Sequence, residues 1–517
     1  MNDTPSTAAQ PPSSPVALGD APRDDARIAA ELAPSVDLSY EPARARVLLS
    51  IAVVAVAGDV AMRSGVDTYG GAIGGVVAIG AVSAGRVRSR EARVLFVAAG
   101  LFVACTAFRQ SSWLLPFDAA ASVVLVALGA LLARSGSLFD MPMRSLGERA
   151  LLGFAHSVTA PEFAVGPIRG RRAGVALRGA LVAFPLVVIL VALLGSADRV
   201  FAALLGLDSL DAGDVVAHGA LLTLAGWSGA AVLRTASARA DVRRRGGARF
   251  FGATEAMIVL TAIALVLAVF SVAQILDLVD ANRRILARRG LAHADYARTG
   301  FFQLLFVAGI VVTIVLALRA ITRATTDRQA RRFTTLGVGT CALTLPVVVV
   351  SVRRLALYED EYGLTMLRLY STAAAISIGV IVVLVGLAIA GLGRDRVWLP
   401  GAILIVGLGA LFAMNVINPE ALVARTNLNR SDPIVRPNDA FREDASIGVG
   451  VGDLDVAYLG DLSTDAVPTA VAHLDRLDPA DRDELLNRLC RRNFDSTNWL
   501  GSNRSARRAE AALASVC

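Results

Sequence analysis

The sequence predicts an all-α polytopic membrane bundle of about eleven transmembrane helices, followed by a small C-terminal helical domain. Of its 517 residues, 55% are hydrophobic and 18% are charged, whereas soluble proteins carry about 25% charged residues. Apolar runs of about 20 residues recur along the chain, and a helix of that length crosses a bilayer. These features exclude a soluble multidomain enzyme, a disordered protein and a disulfide-rich scaffold.

The composition divides the chain into three parts. Residues 1–44 are rich in Pro, Ser, Ala and Asp and are expected to form a disordered tail. Residues 45–417 contain the apolar runs, and residues 418–517 are expected to form an extracytoplasmic loop and a small helical domain. No short apolar core with a cleavage site begins the chain, so we expect no cleaved signal peptide.

Eleven apolar runs are candidate transmembrane helices. The first, third and fifth runs are short, and the first contains Asp59. The runs cover residues 46–62, 67–85, 93–108, 113–133, 176–195, 214–233, 254–276, 300–319, 334–352, 370–392 and 397–417.

The arginines orient these spans, because cytoplasmic loops carry an excess of basic residues. The sequence contains no Lys, and alternate connections are rich in Arg when the N-terminus is placed in the cytoplasm. An odd number of spans then places the C-terminus outside the cytoplasm, and the plasma membrane is the expected location. The connection between the seventh and eighth spans is an exception, because it is predicted to lie outside the cytoplasm and yet is rich in arginine. Its arginines are Arg283, Arg284, Arg288, Arg289 and Arg298.

The C-terminal region predicts a helical hairpin. Asp478 and Pro479 have the pattern of an N-cap followed by the first helical residue. Apolar residues then recur at helical spacing on both sides of this start, namely Val467, Val471 and Leu474 before it and Leu485, Leu486 and Leu489 after it. Cys490 and Cys517 are either disulfide-bonded, as an oxidising compartment permits, or two unpaired thiols near a fraying terminus.

Known catalytic motifs are missing from the sequence. It has no Walker loop, HExxH, GxSxG or dinucleotide fingerprint, and its cysteines lack zinc-ligand spacing. We therefore expect no metal and no cofactor, and the catalytic residues stay unassigned. Because the arginines lie in short loops between apolar runs, we also expect no nucleic-acid partner.

Polar residues concentrate at four helix ends that the predicted topology places on the outer face. We call this set the outer rim. One such end could reflect only the usual polarity of helix termini and the interfacial preference of Tyr, but four on one side favour a ligand-binding site. The candidates are Asp198, Arg199, Asp295, Tyr296, Arg298, Tyr358, Glu361, Tyr362, Arg368 and Asn418.

Arg368 lies where the tenth span begins, and a guanidinium entering the bilayer edge is costly without a partner. We expect Arg368, together with Glu361 or Asp360, to form charge-assisted contacts with residues of the connection between the seventh and eighth spans or of the end of the fifth span, such as Asp198 or Arg298. Arg368 could instead reach lipid headgroups. Gly363 would allow the backbone to turn tightly into the helix.

Two carboxylates lie inside apolar runs. Asp59 and Asp118 are functional candidates for that reason, but both are close to span ends and could simply lie at headgroup depth. The segment 145–158 has the pattern of a helix on the membrane surface, and His156 within it is expected at headgroup level.

Four strings in this order carry a resemblance to a known family. They are GSADRVF (195–201), DYARTGFFQLL (295–305), YEDEYGLTMLRLY (358–370) and NPEALVARTNLNR (418–430), the last followed by DLDVAYLGDLSTDAVPTAV (453–471). Over residues 180–475 the chain resembles the bacterial multi-pass membrane family catalogued as domain of unknown function 4153/4173. The resemblance implies a membrane protein and supplies neither a reaction nor a ligand.

Two classes of function are compatible with these observations. In the first, the protein is an envelope scaffold or a sensing and binding component that uses its outer face and recruits a protein partner through its C-terminal tail. In the second, it is a transporter or a lipid-linked transferase with a site at the outer face. A transporter should carry interrupted helices and ionisable residues near the bilayer midplane, and the sequence has few of these, which favours the first class.

Overall fold

The computed structural model describes residues 43–165 except 135 and 142, residue 187, and residues 212–238, 251–278, 300–391 except 324 and 325, 397–430, 454–492 and 499–517. The described residues form seventeen α-helices and two short strands. The predicted disordered tail, apart from residues 43 and 44, and the predicted fifth span, apart from residue 187, lie outside the described residues.

Twelve of the described helices precede residue 418. They are α1 Ala45–Ser64, α2 Tyr69–Arg86, α3 Arg90–Cys105, α4 Leu114–Leu131, α5 Met143–Val158, α6 Ala160–Val165, α7 Ala212–Ser237, α8 Ala253–Leu278, α9 Phe301–Ile321, α10 Asp327–Tyr362, α11 Met366–Ala390 and α12 Leu399–Ile417. Strand β1 (Phe251–Gly252) pairs in parallel with β2 (Thr322–Arg323).

Hydroxyl side chains begin four of these helices. Thr68, Ser89, Thr326 and Thr365 each accept a hydrogen bond from the backbone N–H three residues later, at the starts of α2, α3, α10 and α11. Such caps satisfy one of the N–H groups that a helix start leaves unpaired. The short polar breaks between apolar runs therefore fix where the helices start.

The all-α membrane bundle is confirmed, but the count of eleven spans is not. Within the described residues, seven helices are long and apolar enough to cross a membrane, namely α1, α4, α8, α9, α10, α11 and α12. Helix α2 has a shorter apolar stretch, Tyr69–Ala84. Helices α3 and α7 coincide with the predicted third and sixth spans and do not belong to the seven.

The bundle helices pack through several apolar clusters. One cluster contains residues of the four helices α8, α9, α10 and α11, among them Leu260, Val315, Val347 and Val385. Another surrounds Leu125 on α4 and includes residues of α3 and α12. Helices α1 and α7 approach closely because Gly58 faces Ala225, where an added Cβ would lie only 2.6 Å from the Ala225 Cβ.

The prediction that His156 is a surface residue is wrong, since this side chain is buried at 5% exposure. Helix α5 does expose Leu151 and Phe154. Its opposite side packs against α7, and His156 lies two positions from Phe154, which turns it away from the exposed side.

The predicted C-terminal helical segments are present and share one core, but they do not pair mainly with each other: Val467–Val471 packs against Pro419–Arg430 and Arg504–Leu513, whereas Pro479–Cys490 packs against Val456–Asp461. Val467, Leu474, Leu485 and Leu489 are buried in one core, with Val471 and Leu486 packed against it. Asp478 occupies the N-cap position of a helix that begins at Pro479. The helices of this C-terminal segment are α13 Pro419–Arg430, α14 Val456–Asp461, α15 Val467–Val471, α16 Pro479–Cys490 and α17 Arg504–Leu513, with 3₁₀ turns at Leu474–Arg476 and Trp499–Gly501.

Two further features tie the C-terminal segment together. Cys490 and Cys517 are disulfide-bonded, with their Cα atoms 5.8 Å apart. The core of the segment also contains Leu364 and Met366, which lie at the start of α11 in the bundle. The segment therefore shares its core with the end of the membrane helices.

Candidate functional site

Two of the four predicted rim motifs meet in the structure. They are the α10–α11 connection and α13. Asn427 forms two hydrogen bonds at this junction: the Leu364 N–H donates to its Oδ1 at 2.8 Å, and its Nδ2 donates to the Leu364 carbonyl at 2.7 Å. Gly363 has φ +78°, and an added Cβ would lie 2.9 Å from the Asn427 Oδ1. The prediction that Gly363 permits a tight turn is confirmed.

Arg368 and Tyr358 are brought together by this turn. The Arg368 guanidinium lies 4.0 Å from the centroid of the Tyr358 ring, which is cation–π geometry. Its Nη1 also donates to the Gly363 carbonyl. Arg368 therefore holds the end of α10 against the start of α11.

Seven other predicted rim residues have no described side chain. Glu361 and Tyr362 belong to the last turn of α10, but their side chains are outside the description, as is that of Asp360. Asp198, Arg199, Asp295, Tyr296 and Arg298 lie outside the described residues. The contacts predicted for Arg368 and for Glu361 or Asp360 with Asp198 or Arg298 therefore stay a prediction.

Asn418 sets the angle between α12 and α13. It adopts a left-handed backbone conformation with φ +58°, which Asn tolerates better than most residues. Its Oδ1 accepts from the Ala421 N–H at 3.3 Å, and its Nδ2 donates to the Asp465 carbonyl at 3.2 Å. Asn418 thus links the end of a membrane helix to the C-terminal segment.

Asp465 joins the C-terminal segment to the α3–α4 connection, and it was not predicted from the sequence. The residue is 5% exposed. Its carboxylate lies 3.6 Å from Arg109 Nη1 and accepts from the Gln110 N–H at 2.9 Å. A buried carboxylate needs such partners. The signal that could have found this pair is Arg109, a lone arginine in a connection predicted to lie outside.

The same interface continues to the α1–α2 connection. Gln110 Nε2 donates to Asp67 Oδ2 at 3.2 Å, and Asn503 Nδ2 donates to the Asp67 carbonyl at 2.8 Å. The Thr464 hydroxyl donates to Gln110 Oε1 at 2.8 Å. Backbone bonds from Tyr69 to Ser502 and from Arg504 to Ala107 complete the interface. We call this whole set of contacts the latch.

Below the latch, two membrane helices share a buried polar pair. Asn415 Nδ2 donates to Asp118 Oδ1 at 2.8 Å, and the two residues are 6% and 1% exposed. Arg109 Nε donates to the Asn415 carbonyl at 2.9 Å. Arg109 therefore connects the polar pair of Asp118 and Asn415 to Asp465.

Aromatic rings and unsatisfied polar atoms accompany this pair. Tyr370 stacks on Trp113 and Phe117 with ring centroids 5.6 and 6.0 Å apart. Among the described residues, the Tyr370 hydroxyl, Ser111 Oγ and Asn415 Oδ1 are buried with no hydrogen-bond partner. Buried polar atoms are nearly always satisfied, so these three retain hydrogen-bonding capacity for a polar group.

A groove of about 180 Å³ opens between the bundle and the C-terminal segment. Its walls combine carboxylates, hydroxyls and apolar side chains. Glu420 is buried there and accepts from the Ser463 N–H at 2.5 Å. The lining residues are Ser112, Trp113, Thr365, Met366, Leu367, Glu420, Tyr458, Asp461, Leu462 and Ser463.

Burial shifts the pKa values of two side chains around this groove, Tyr458 and Arg492. The Met366 N–H donates to the Tyr458 hydroxyl at 2.8 Å, and burial raises the pKa of Tyr458, so this phenol stays protonated at neutral pH. Arg492 donates to the Gly460 and Leu462 carbonyls, and burial lowers the pKa of its guanidinium. The groove thus offers hydrogen-bonding groups and two carboxylates, Glu420 and Asp461, next to apolar walls.

In the described part of the chain, no three His, Cys, Asp or Glu side chains are grouped to hold a metal.

A second charged cluster joins α1 to α7. Asp59, which the sequence singled out, is buried and lies 2.7 Å from His218 Nδ1. Arg63 lies 3.5 Å from Asp214, about one turn further along each helix. These two pairs fix the register of α1 against α7. The two helices are distant in sequence, so the hydrophobic pattern of each helix cannot predict this pairing.

One comparison with known proteins gives a match. A family model described as a domain of unknown function (DUF4153) matches residues 96–473. The match begins well before residue 180, where the resemblance was expected to start, and it includes Arg109, Asp118, Asn415 and Asp465. No curated protein and no solved structure matches the chain.

Proposed function

Because the chain belongs to the DUF4153 family and its helices are those of a membrane protein, we propose that it is an envelope component that binds a ligand or partner protein at its outer face. The observation that carries the proposal is the latch. Asp465, Asn503 and Asn418 hold the C-terminal segment against three separate ends of the bundle. Such a junction creates one composite surface from parts distant in sequence.

The position of the groove supports binding at this surface. Its walls come from the α3–α4 connection, the start of α11, α13 and α14, so that an occupant touches the bundle and the C-terminal segment together. A ligand there would alter how the segment sits on the bundle, which is the basis of a sensing role. We include Asp198, Arg199, Asp295, Tyr296, Arg298, Glu361 and Tyr362 in the proposed rim on their sequence positions alone.

We also propose that this face lies outside the cytoplasm, in the cell membrane of a bacterium. The arginine distribution supports a cytoplasmic N-terminus. The disulfide between Cys490 and Cys517 supports an extracytoplasmic C-terminus, because disulfides persist in oxidising compartments.

Asp118 supports the alternative of a transporter or lipid-linked transferase. A buried carboxylate within a membrane helix is costly and is commonly functional. Its contact with Asn415 at the latch end of the bundle places it below the same surface. The two classes therefore share a site and differ in what occupies it.

Site-specific photo-crosslinking in cells distinguishes these classes. A photoreactive residue replaces Leu367 or Asp461 in the groove, and for comparison it replaces Arg507 on α17, which is exposed and does not line the groove. We expect a discrete protein adduct from the groove positions only, and we expect Asp465→Ala to abolish it by loosening the latch. An adduct with lipid alone would favour the transferase, and equal labelling at Arg507 would contradict the proposal.

A further inference from the structure

A second groove lies at the opposite end of α10 from the C-terminal segment. It has a volume of about 820 Å³ and is lined by Met257, Asp327, Arg328, Arg331, Arg332, Thr335 and Leu336. Helix α10 has 36 residues and is therefore about 54 Å long. Since the groove occupies the first ten residues of this helix, it is separated from the end of α10 that meets the C-terminal segment by more than the thickness of the hydrocarbon core of a bilayer.

Three arginines give this groove a positive wall. Arg328, Arg331 and Arg332 stand at helical spacing i, i+3 and i+4, so they project from one side of α10. All three are exposed, and Asp327 is the one acid among the lining residues. In the part of the chain that the structure describes, none of the three forms an ion pair. Their charge is available to an anion.

The sequence of α10 fixes the depth of these arginines. Residues 333–352 contain no charged side chain, and about 20 such residues cross the hydrocarbon core of a bilayer. Arg332 directly precedes this stretch, which places the three guanidinium groups at the level of lipid headgroups. Leu336 lies one turn deeper, and Met257 of α8 contributes a second apolar wall.

We propose that this groove binds the phosphate of an anionic phospholipid. Guanidinium groups form paired hydrogen bonds with phosphate oxygens, and the three arginines supply several donors at the depth where lipid phosphates lie. The apolar walls contributed by Leu336 and Met257 would accept the first carbons of the acyl chains. A free phosphate ion would leave those walls exposed to water, so the layout favours the lipid.

Native mass spectrometry of the full chain, released from detergent micelles, tests the proposal. The protein is incubated with phosphatidylglycerol or phosphatidylcholine, and the retained lipids are counted. We expect retention of phosphatidylglycerol over phosphatidylcholine, and no displacement by excess inorganic phosphate. In the triple variant Arg328→Gln, Arg331→Gln, Arg332→Gln, affinity for phosphatidylglycerol should fall roughly five-fold per arginine, the equivalent of about 1 kcal/mol per basic residue.

The matched control removes three exposed arginines from the region of α16, as Arg482→Gln, Arg488→Gln, Arg491→Gln, and should bind phosphatidylglycerol as the wild type does. The single variant Arg331→Gln retains two cations and tests the same site if the triple variant does not fold. Unchanged phosphatidylglycerol binding in the folded variants would refute the site. Efficient competition by inorganic phosphate would show a free-anion site and overturn the lipid assignment.

Discussion

Asp465 is a single residue on which the latch depends. Replacing it by Ala removes the partner of the Arg109 guanidinium and of the Gln110 N–H. Removing one member of a buried ion pair leaves the other charge unpaired and destabilises by about 3–5 kcal/mol. We expect Asp465→Ala to expose the C-terminal segment to limited proteolysis under conditions in which the wild type is resistant.

Asp475 provides the control for this prediction, because its carboxylate forms an exposed ion pair with Arg482 at 3.7 Å and is 94% exposed. Exposed pairs contribute about 0–1 kcal/mol, so Asp475→Ala should digest as the wild type does. Asp465→Asn should be intermediate, since an amide oxygen still accepts from Gln110 but carries no charge. Equal digestion of the Asp465→Ala and Asp475→Ala variants would show that Asp465 does not secure the segment.

At the scale of helices, the sequence predicted the elements better than their pairing. Apolar runs and Ser or Thr caps place helix starts such as Ser89 and Thr365 without tertiary information. The partner of Asp59 is His218, 159 residues away, and neither residue indicates the other. The buried side of α5 was missed for the same reason, because its amphipathic pattern does not specify whether protein or lipid covers each face.

Gly58 tests the pairing of α1 with α7. An added Cβ would lie 2.6 Å from the Ala225 Cβ, so Gly58→Ala must push the helices apart. Overpacking of this kind destabilises by about 1–3 kcal/mol. We expect a lower midpoint of thermal unfolding in detergent, measured by a thiol-reactive dye that labels the buried Cys341 as it becomes accessible.

Gly100 on α3 is the matched control, because an added Cβ there would have no described atom within 4 Å outside its own helix turn. Ala is favoured over Gly inside a helix by roughly 0.5–1 kcal/mol, so Gly100→Ala should leave the midpoint unchanged or raise it. If Gly58→Ala behaves in the same way, the close approach of α1 and α7 does not contribute to stability.

At the scale of the whole molecule, the outer rim could be predicted only in part. The sequence concentrated polar residues at helix ends, and two of those ends do meet through Leu364 and Asn427. The role of the C-terminal segment in building the site could not be predicted, because hydrophobic periodicity within 465–489 predicts helices with apolar faces and not the surfaces that those faces cover. Asp465 lies in a string used for the family resemblance, yet its role depends on Arg109, 356 positions earlier in the chain.

The orientation of the molecule gives the last prediction. The disulfide closes a loop between residues 27 positions apart, and in the chain-entropy model such a closure stabilises the segment by roughly 3 kcal/mol. If the C-terminus lies outside the cytoplasm, mass spectrometry of unreduced protein should find Cys490 linked to Cys517 while Cys105 and Cys341 remain free thiols. A reporter that is active only outside the cytoplasm, fused after residue 430, should be active.

Mass spectrometry tests the disulfide and the reporter fusion tests the topology, so either prediction can fail without the other. The variant Cys490→Ser, Cys517→Ser should keep the reporter active while making the segment easier to digest, because helix orientation is set by the arginines and not by the disulfide. If Cys490 and Cys517 are free thiols while the reporter is active, the predicted disulfide is wrong and the predicted topology still holds. Activity of a cytoplasm-only reporter at residue 430 would show that the C-terminal segment faces the cytoplasm. The latch and its groove would then lie on the cytoplasmic side, which would contradict the proposed binding role at the outer face.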